Sequence, residues 1–237
     1  MLFNKSYKCP ICDEQFKVPT VRAGKAKLEG VDADLRPRYK IVDPLKYDIV
    51  MCPKCGYATL TRFFSHITPP QAKLIKQGIT RNFIPMASQD SYTYDEAFLR
   101  YQLALGNAVV KRGKASEKAY LCLKMAWLLR GKLESLDQEA DNYDEEVKKI
   151  REDEKELLAS SLEGFISARQ TENFPMCGMD ESTVEYLIAV MSMKFEKYDT
   201  ASKMISSILM SQSANARIKD RCRDIKEQLV QIMKEAK

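Results

Sequence analysis

Cys9-Pro10-Ile11-Cys12-Asp13 and Cys52-Pro53-Lys54-Cys55-Gly56, separated by roughly forty residues, are the stretches from which the rest of this sequence is read. A C-x-x-C turn aims two thiolates at one point, and two such turns complete a tetrahedron of sulfur ligands. Cys9, Cys12, Cys52 and Cys55 are therefore read as one metal site. Four thiolates form a closed shell with no position for water or substrate, so the metal expected is structural zinc. Iron at the same four sulfurs is the first alternative. A redox dithiol is the second, and it explains one C-x-x-C while leaving the other idle. Gly56 suits the left-handed conformation that turns backbone N–H groups toward the sulfurs, and Asp13, in the same place after the first knuckle, belongs to a residue type that also visits that region.

Outward from the knuckles lie short β-branched and aromatic runs bounded by proline. They are Phe16 to Arg22, Arg38 to Val42, and Tyr47 to Met51 running into the second knuckle, and each predicts a strand. Knuckles leading into and out of short strands make a zinc ribbon over residues 1–66. Between the first two runs, Ala23 to Pro37 contains Gly24, Gly30, Asp32, Asp34 and Pro37, and is expected to be an exposed loop. His66, the lone histidine, faces a ligand set already filled by four cysteines and pairs with no visible nucleophile. It is read as an ordinary surface or packing residue.

From Thr68 the apolar period changes from two to 3.6 and stays helical, making 67–237 a helical domain. Thr68 before Pro69 and Pro70 marks one helix start, and Thr93 with Glu96 forms a capping box for the next. Ser116 is expected to cap a third helix that faces Ala119, Cys122, Leu123, Ala126 and Leu129 inward, with Trp127 at a helix junction. A long helix from about Asp144 to Ser167 follows, then starts at Asp180 or Ser182, near Ala201, and near Ala214. Ile218, Cys222, Ile225, Leu229 and Ile232 share one face of the last, which makes Cys222 a core cysteine. Short connections imply antiparallel helix pairs stacked in order. Phe195 to Ala201 resembles a tetratricopeptide turn, with no tight repeat period, so the array is expected to be tetratricopeptide-like. The fold class is thus mainly α, with a small N-terminal β zinc ribbon ahead of that array.

The formal charge of +5 is unevenly spread. Residues 1–70 hold twelve Lys and Arg against seven acids, and the remainder balances. A four-thiolate zinc centre carries a net charge of about −2, which takes back part of that excess. A second asymmetry lies in 111–132, basic through Lys111, Arg112, Lys114, Lys118, Lys124, Arg130 and Lys132, followed by an acidic run from Glu134 to Glu156. Either the basic helix faces a polyanion, or the chain reverses and the two helices neutralise each other.

The assembled pattern resembles one bacterial family, the domain of unknown function 2225 proteins. The resemblance rests on Cys9-Pro-x-Cys12 with Phe16, Val21-Arg22, Asp32 and Asp34, Pro37-x-Tyr39, Pro44-x-x-Tyr47-Asp48, and Cys52-Pro-x-Cys55-Gly56-Tyr57-Ala58. Gly178-Met179-Asp180-Glu181, Tyr186-Leu187-Ile188, Tyr198 and Ala201 extend it through the helical half. It implies a cytoplasmic zinc-ribbon and helical-repeat protein with no assigned activity.

Three function classes follow. The first is a non-enzymatic interaction protein whose array docks a protein partner. The second is a nucleic-acid binder using Lys25, Lys27, Arg36, Arg38 and Lys40 beside Tyr39 and Tyr47. The third, an enzyme, lacks sequence support: there is no glycine-rich phosphate loop, no G-x-S-x-G and no H-E-x-x-H, and no small-molecule substrate is indicated. No apolar run approaches membrane-spanning length and the first residues lack a signal-peptide core, so no membrane role and a cytoplasmic location are expected.

Overall fold

The computed structural model describes residues 1–235. Each knuckle is the turn of an antiparallel hairpin. β1 (Leu2–Lys8) pairs with β2 (Gln15–Val21), placing Tyr7 opposite Phe16 and Leu2 opposite Val21. β5 (Ile49–Met51) pairs with β6 (Ala58–Leu60), placing Met51 opposite Ala58. Between them, β3 (Leu28–Val31) and β4 (Pro37–Tyr39) make a third hairpin, and the three sheets are separate two-stranded units.

Two expectations fail in this half. The Ala23 to Pro37 segment is largely exposed over 23–31, as expected, but it is not all loop: it holds β3, and Asp34 and Arg36 at the hairpin tip are buried. Their partners, Trp127, Arg130 and Glu134, lie more than ninety residues further along the chain, beyond any local pattern. The strand expected at Tyr47 begins only at Ile49, because Pro44–Tyr47 is a 3-10 turn whose start is capped by Asp43, accepting from the Leu45 N–H at 2.9 Å.

Seven α-helices follow among the described residues: α1 (Pro69–Gly78), α2 (Tyr94–Val110), α3 (Ala115–Glu134), α4 (Tyr143–Thr171), α5 (Glu181–Lys194), α6 (Tyr198–Met210) and α7 (Ala216–Glu235). The protein is mainly α, as the periodicity implied. Thr68 starts α1 as expected, where a capping box with Gln71 also forms, and the expected box at Thr93 forms too. The Thr93 N–H donates to Glu96 Oε2 at 2.7 Å, and the Glu96 N–H returns to Thr93 Oγ1 at 3.2 Å. Asp180, rather than Ser182, caps α5 by accepting from the Thr183 N–H at 2.7 Å. Ser116 is no cap. It lies inside the first turn of α3, where its own N–H donates to Glu172 Oε1 at 3.0 Å, so a carboxylate from the α4–α5 connection satisfies that helix start.

The basic α3 and the acidic α4 pack along each other and are joined by two ion pairs. Arg130 meets Glu154 at 3.0 Å and Lys132 meets Glu146 at 2.8 Å. Other cations of the basic run turn elsewhere inside the molecule, Lys111 to Glu117 at 2.7 Å and Lys124 to Asp48 at 2.6 Å. Because α2, α4 and the hairpins surround it, α3 is buried well beyond its expected face. Leu121, Met125, Trp127 and Leu128 are buried along with Ala119, Cys122, Leu123, Ala126 and Leu129.

The main apolar core runs through the position between residues 66 and 67. Leu45, Tyr47, Ile49, Met51, Ala58 and Leu60 share one cluster with Tyr101, Ala104, Leu121, Leu128 and Phe165, and the Tyr101 hydroxyl donates to Leu45 O at 3.1 Å. A second cluster wraps the cysteines with Ile11, Phe16, Val18, Val50, Tyr57, Phe64 and Ile75. A third joins α5, α6 and α7 through Tyr186, Ile205, Ile208, Ile218, Cys222, Ile225 and Leu229, so Cys222 is the core residue its spacing indicated.

α3 and α4 approach closely where Gly164 faces Ala119: a side-chain carbon at Gly164 would lie 2.8 Å from the Ala119 methyl. Gly164→Val should therefore lower stability by about 1–3 kcal/mol through overpacking, read as a shifted urea midpoint at constant slope. An unchanged midpoint would contradict this close crossing.

Candidate metal centre

The two hairpin turns bring their four sulfurs together. Cys9 Sγ and Cys55 Sγ are 3.5 Å apart, Cys12 Sγ and Cys52 Sγ are 3.6 Å apart, and all four lie within 4.8 Å of one another. A tetrahedron with metal–sulfur bonds of about 2.3 Å has edges of about 3.8 Å, so this spacing fits one ion among four thiolates. Cys9, Cys52 and Cys55 are buried, and Cys12 is partly exposed.

The knuckles repeat one backbone pattern. The Asp13 N–H donates to Cys9 O at 3.0 Å and the Gly56 N–H to Cys52 O at 3.1 Å. The Cys9 N–H then bonds Glu14 O at 2.9 Å and the Cys52 N–H bonds Tyr57 O at 2.8 Å. Both turns need a left-handed residue after the second cysteine, and Asp13 (φ 61°) and Gly56 (φ 73°) supply it. The second position admits only glycine, since a Cβ there would overlap the Phe83 ring.

Electrostatics favour a cation. Backbone N–H groups of Ile11 and Cys12 face the Cys9 sulfur, and those of Lys54 and Cys55 face the Cys52 sulfur. Hydrogen bonds from Cys55 and Cys9 hold the Cys52 thiol down at about 2. The Cys52 sulfur in turn pushes Cys9 up to about 12, with burial adding to it, and Cys55 rises further for the same reasons. Sulfurs this close cannot all carry negative charge without a positive centre among them. A divalent ion among them would supply that charge and displace the shared protons.

The centre is tied to the helices through its second knuckle. Asn107 of α2, fully buried, donates from Nδ2 to Gly56 O at 3.0 Å, and Thr80 Oγ1 donates to Cys55 O at 3.1 Å. The Met86 N–H bonds Pro53 O at 3.0 Å. The sequence reading overlooked Asn107, although an amide on the apolar Tyr101, Ala104 and Ala108 face was the available signal.

A family model described as "Uncharacterized protein conserved in bacteria (DUF2225)" matches residues 2–229. The chain belongs to this family. In this DUF2225 chain, the Cys9, Cys12, Cys52 and Cys55 that carried the resemblance are the residues the fold brings together. Searches of curated proteins and of solved structures found no match.

Other residues singled out from sequence lie elsewhere. His66 is exposed, at the rim of a cavity of about 280 Å³ also lined by Lys111, Glu117, Glu172 and Cys177. Burial pushes the Cys177 thiol up to about 11 despite a hydrogen bond with Ser116, so it is a thiol rather than a thiolate near neutral pH. Among the proposed nucleic-acid contacts, Arg36 is buried against Glu134 and Tyr47 is buried against Tyr92, which removes both from any outer surface. Lys25, Lys27, Arg38 and Lys40 are exposed. Among the described residues, no helix is long and apolar enough to cross a membrane.

Because the main core runs from β5 and β6 into α2 and α3, stripping the metal with a strong chelator should lower the melting temperature of the helical signal as well as the ribbon. Cys52→Ser should do the same and lose the metal on elemental analysis. An unchanged helical transition in metal-free protein would mean that the helices stand without the centre.

Proposed function

We propose that this chain is a non-enzymatic interaction protein, in which a structural zinc ion at Cys9, Cys12, Cys52 and Cys55 fixes the ribbon against a tetratricopeptide-like helical array, and the array docks a protein partner. The observation that carries the reading is the donor set. Four sulfurs in a closed, largely buried shell fill a tetrahedral ion completely, which suits a folding role and leaves no coordination position for catalysis. A closed shell of four cysteines on two C-x-x-C turns is the donor set of structural zinc, and elemental analysis separates it from iron at the same sulfurs. Helices α2 to α7 each pack on the next, and Ala201 in the first turn of α6 is fully buried. Thiolate ligands together with the three other free cysteines fit a reducing compartment, and we assign the protein to the cytoplasm on that ground.

The test is a cross-linked pull-down of the intact chain from its own cells, with and without nuclease, followed by binding of any recovered protein to the purified chain. The expected result is a defined protein, recovered equally in both arms, that binds directly. Loss of recovery on nuclease treatment would overturn the reading in favour of a nucleic-acid assembly on the exposed Lys25, Lys27, Arg38 and Lys40.

A further inference from the structure

The β3–β4 hairpin is anchored to the helices through its tip. Its strands pair with neither of the other sheets, and Leu28 and Val31 are 54% and 37% exposed. An isolated two-stranded hairpin is marginally stable in water, so something other than its own strands holds it in place. That something is its tip, residues 32–36, which lies against a face assembled from α3, α5 and α7.

The tip is held in the manner of a bound peptide. Arg130 Nη2 donates to Asp34 Oδ2 at 2.8 Å and Nη1 to Asp32 Oδ2 at 3.0 Å, while Trp127 Nε1 donates to Asp34 Oδ2 at 3.0 Å. Arg36 is gripped by both oxygens of Glu134, at 2.7 and 2.6 Å. Trp127, Arg130 and Glu134 recur every three to four residues and so share one face of α3. The main chain is held too: the Tyr186 hydroxyl donates to Ala33 O at 2.8 Å and Arg221 Nη1 to Asp32 O at 3.2 Å. Leu35, left-handed at φ 67°, inserts between the core clusters that α3, α5 and α6 contribute to. Side-chain pairing reads the charges and backbone bonds fix the register, as in recognition of a short segment.

We propose that the face formed by Trp127, Arg130, Glu134, Tyr186 and Arg221 is a receptor for an acidic turn, filled in cis by Asp32-Ala33-Asp34-Leu35-Arg36. A protein partner presenting an exposed turn of the same chemistry, two aspartates flanking one residue and followed by an apolar residue and an arginine, displaces it. This rests on the interaction reading above and names the chemistry of its partner. Cis occupancy lowers the apparent affinity for the partner by the fraction of molecules in which the face is open.

The experiment uses a fluorescent head-to-tail cyclic peptide of residues 27–40, a closure matched to the Lys40 N–H bonding Lys27 O at 3.0 Å. It is titrated by anisotropy into the full-length chain and into its Asp32→Asn, Asp34→Asn variant, in which the cis tip is weakened. The variant should bind the peptide about tenfold or more tightly than the wild type, with binding abolished by adding Arg130→Ala or by making both Asn changes in the peptide. A variant that keeps its native far-UV spectrum yet binds no peptide overturns the proposal. If that variant does not fold, a chain with 28–39 replaced by Gly-Gly takes its place, and failure of both to fold shows the tip to be core rather than ligand, which also overturns it. Failure here alongside a nuclease-resistant, directly binding partner in the pull-down removes the acidic turn alone. Absence of any such partner removes the interaction reading itself.

Discussion

Four sulfurs held within 4.8 Å of one another, on turns some forty residues apart, set the constraint on which the N-terminal half depends. Thiolates at this spacing repel, and each knuckle alone is only the turn of a short hairpin with little apolar surface of its own. A cation at the centre would turn that repulsion into attraction and close the loop between the two hairpins. The consequences pass outward through named bonds. Asn107 and Thr80 grip the second knuckle by its carbonyls, and the strand leading into it and the strand leaving it put Ile49, Met51, Ala58 and Leu60 into the same core as Tyr101 and α3. Ribbon and first helices therefore share a continuous packed core.

The second organising contact is electrostatic, and its centre is Arg130. One guanidinium meets Asp32, Asp34 and Glu154, and so joins the middle hairpin to α3 and α4, while Lys194 of α5 meets the same Glu154 at 3.1 Å. Burial raises the Asp34 carboxyl, but the hydrogen bonds and charge of Arg130, with Trp127 and the Arg36 N–H, overcome it and hold the group below the usual carboxylate range. Its contribution to stability is therefore present above the unfolded carboxylate range and fades as pH falls through the lower, folded value. Of the charges at 111–132 that suggest a polyanion surface in isolation, Lys111, Lys124, Arg130 and Lys132 are spent in internal pairs, while Arg112 and Lys114 are exposed.

What was legible in the sequence was what short-range physics decides. The knuckles, the left-handed demand at Asp13 and Gly56, the helix start at Thr68, the capping box at Thr93, and the buried stripe through Cys222 depend on neighbours within a few residues. What escaped depends on partners far along the chain. Asp34 and Arg36 looked like loop residues because Trp127, Arg130 and Glu134 lie more than ninety positions away. Ser116 looked like a cap because Glu172, which in fact serves that helix start, comes from the α4–α5 connection. β1 was overlooked for another reason: Asn4, Lys5, Ser6 and Lys8 give it no apolar alternation, and it exists because the knuckle folds it back on β2.

The most direct test of the central claim is zinc K-edge X-ray absorption on intact protein purified without added metal. The account predicts about one zinc per chain with four sulfur scatterers at about 2.3 Å and no lighter neighbour. A first shell containing oxygen or nitrogen, or iron in place of zinc, would contradict it.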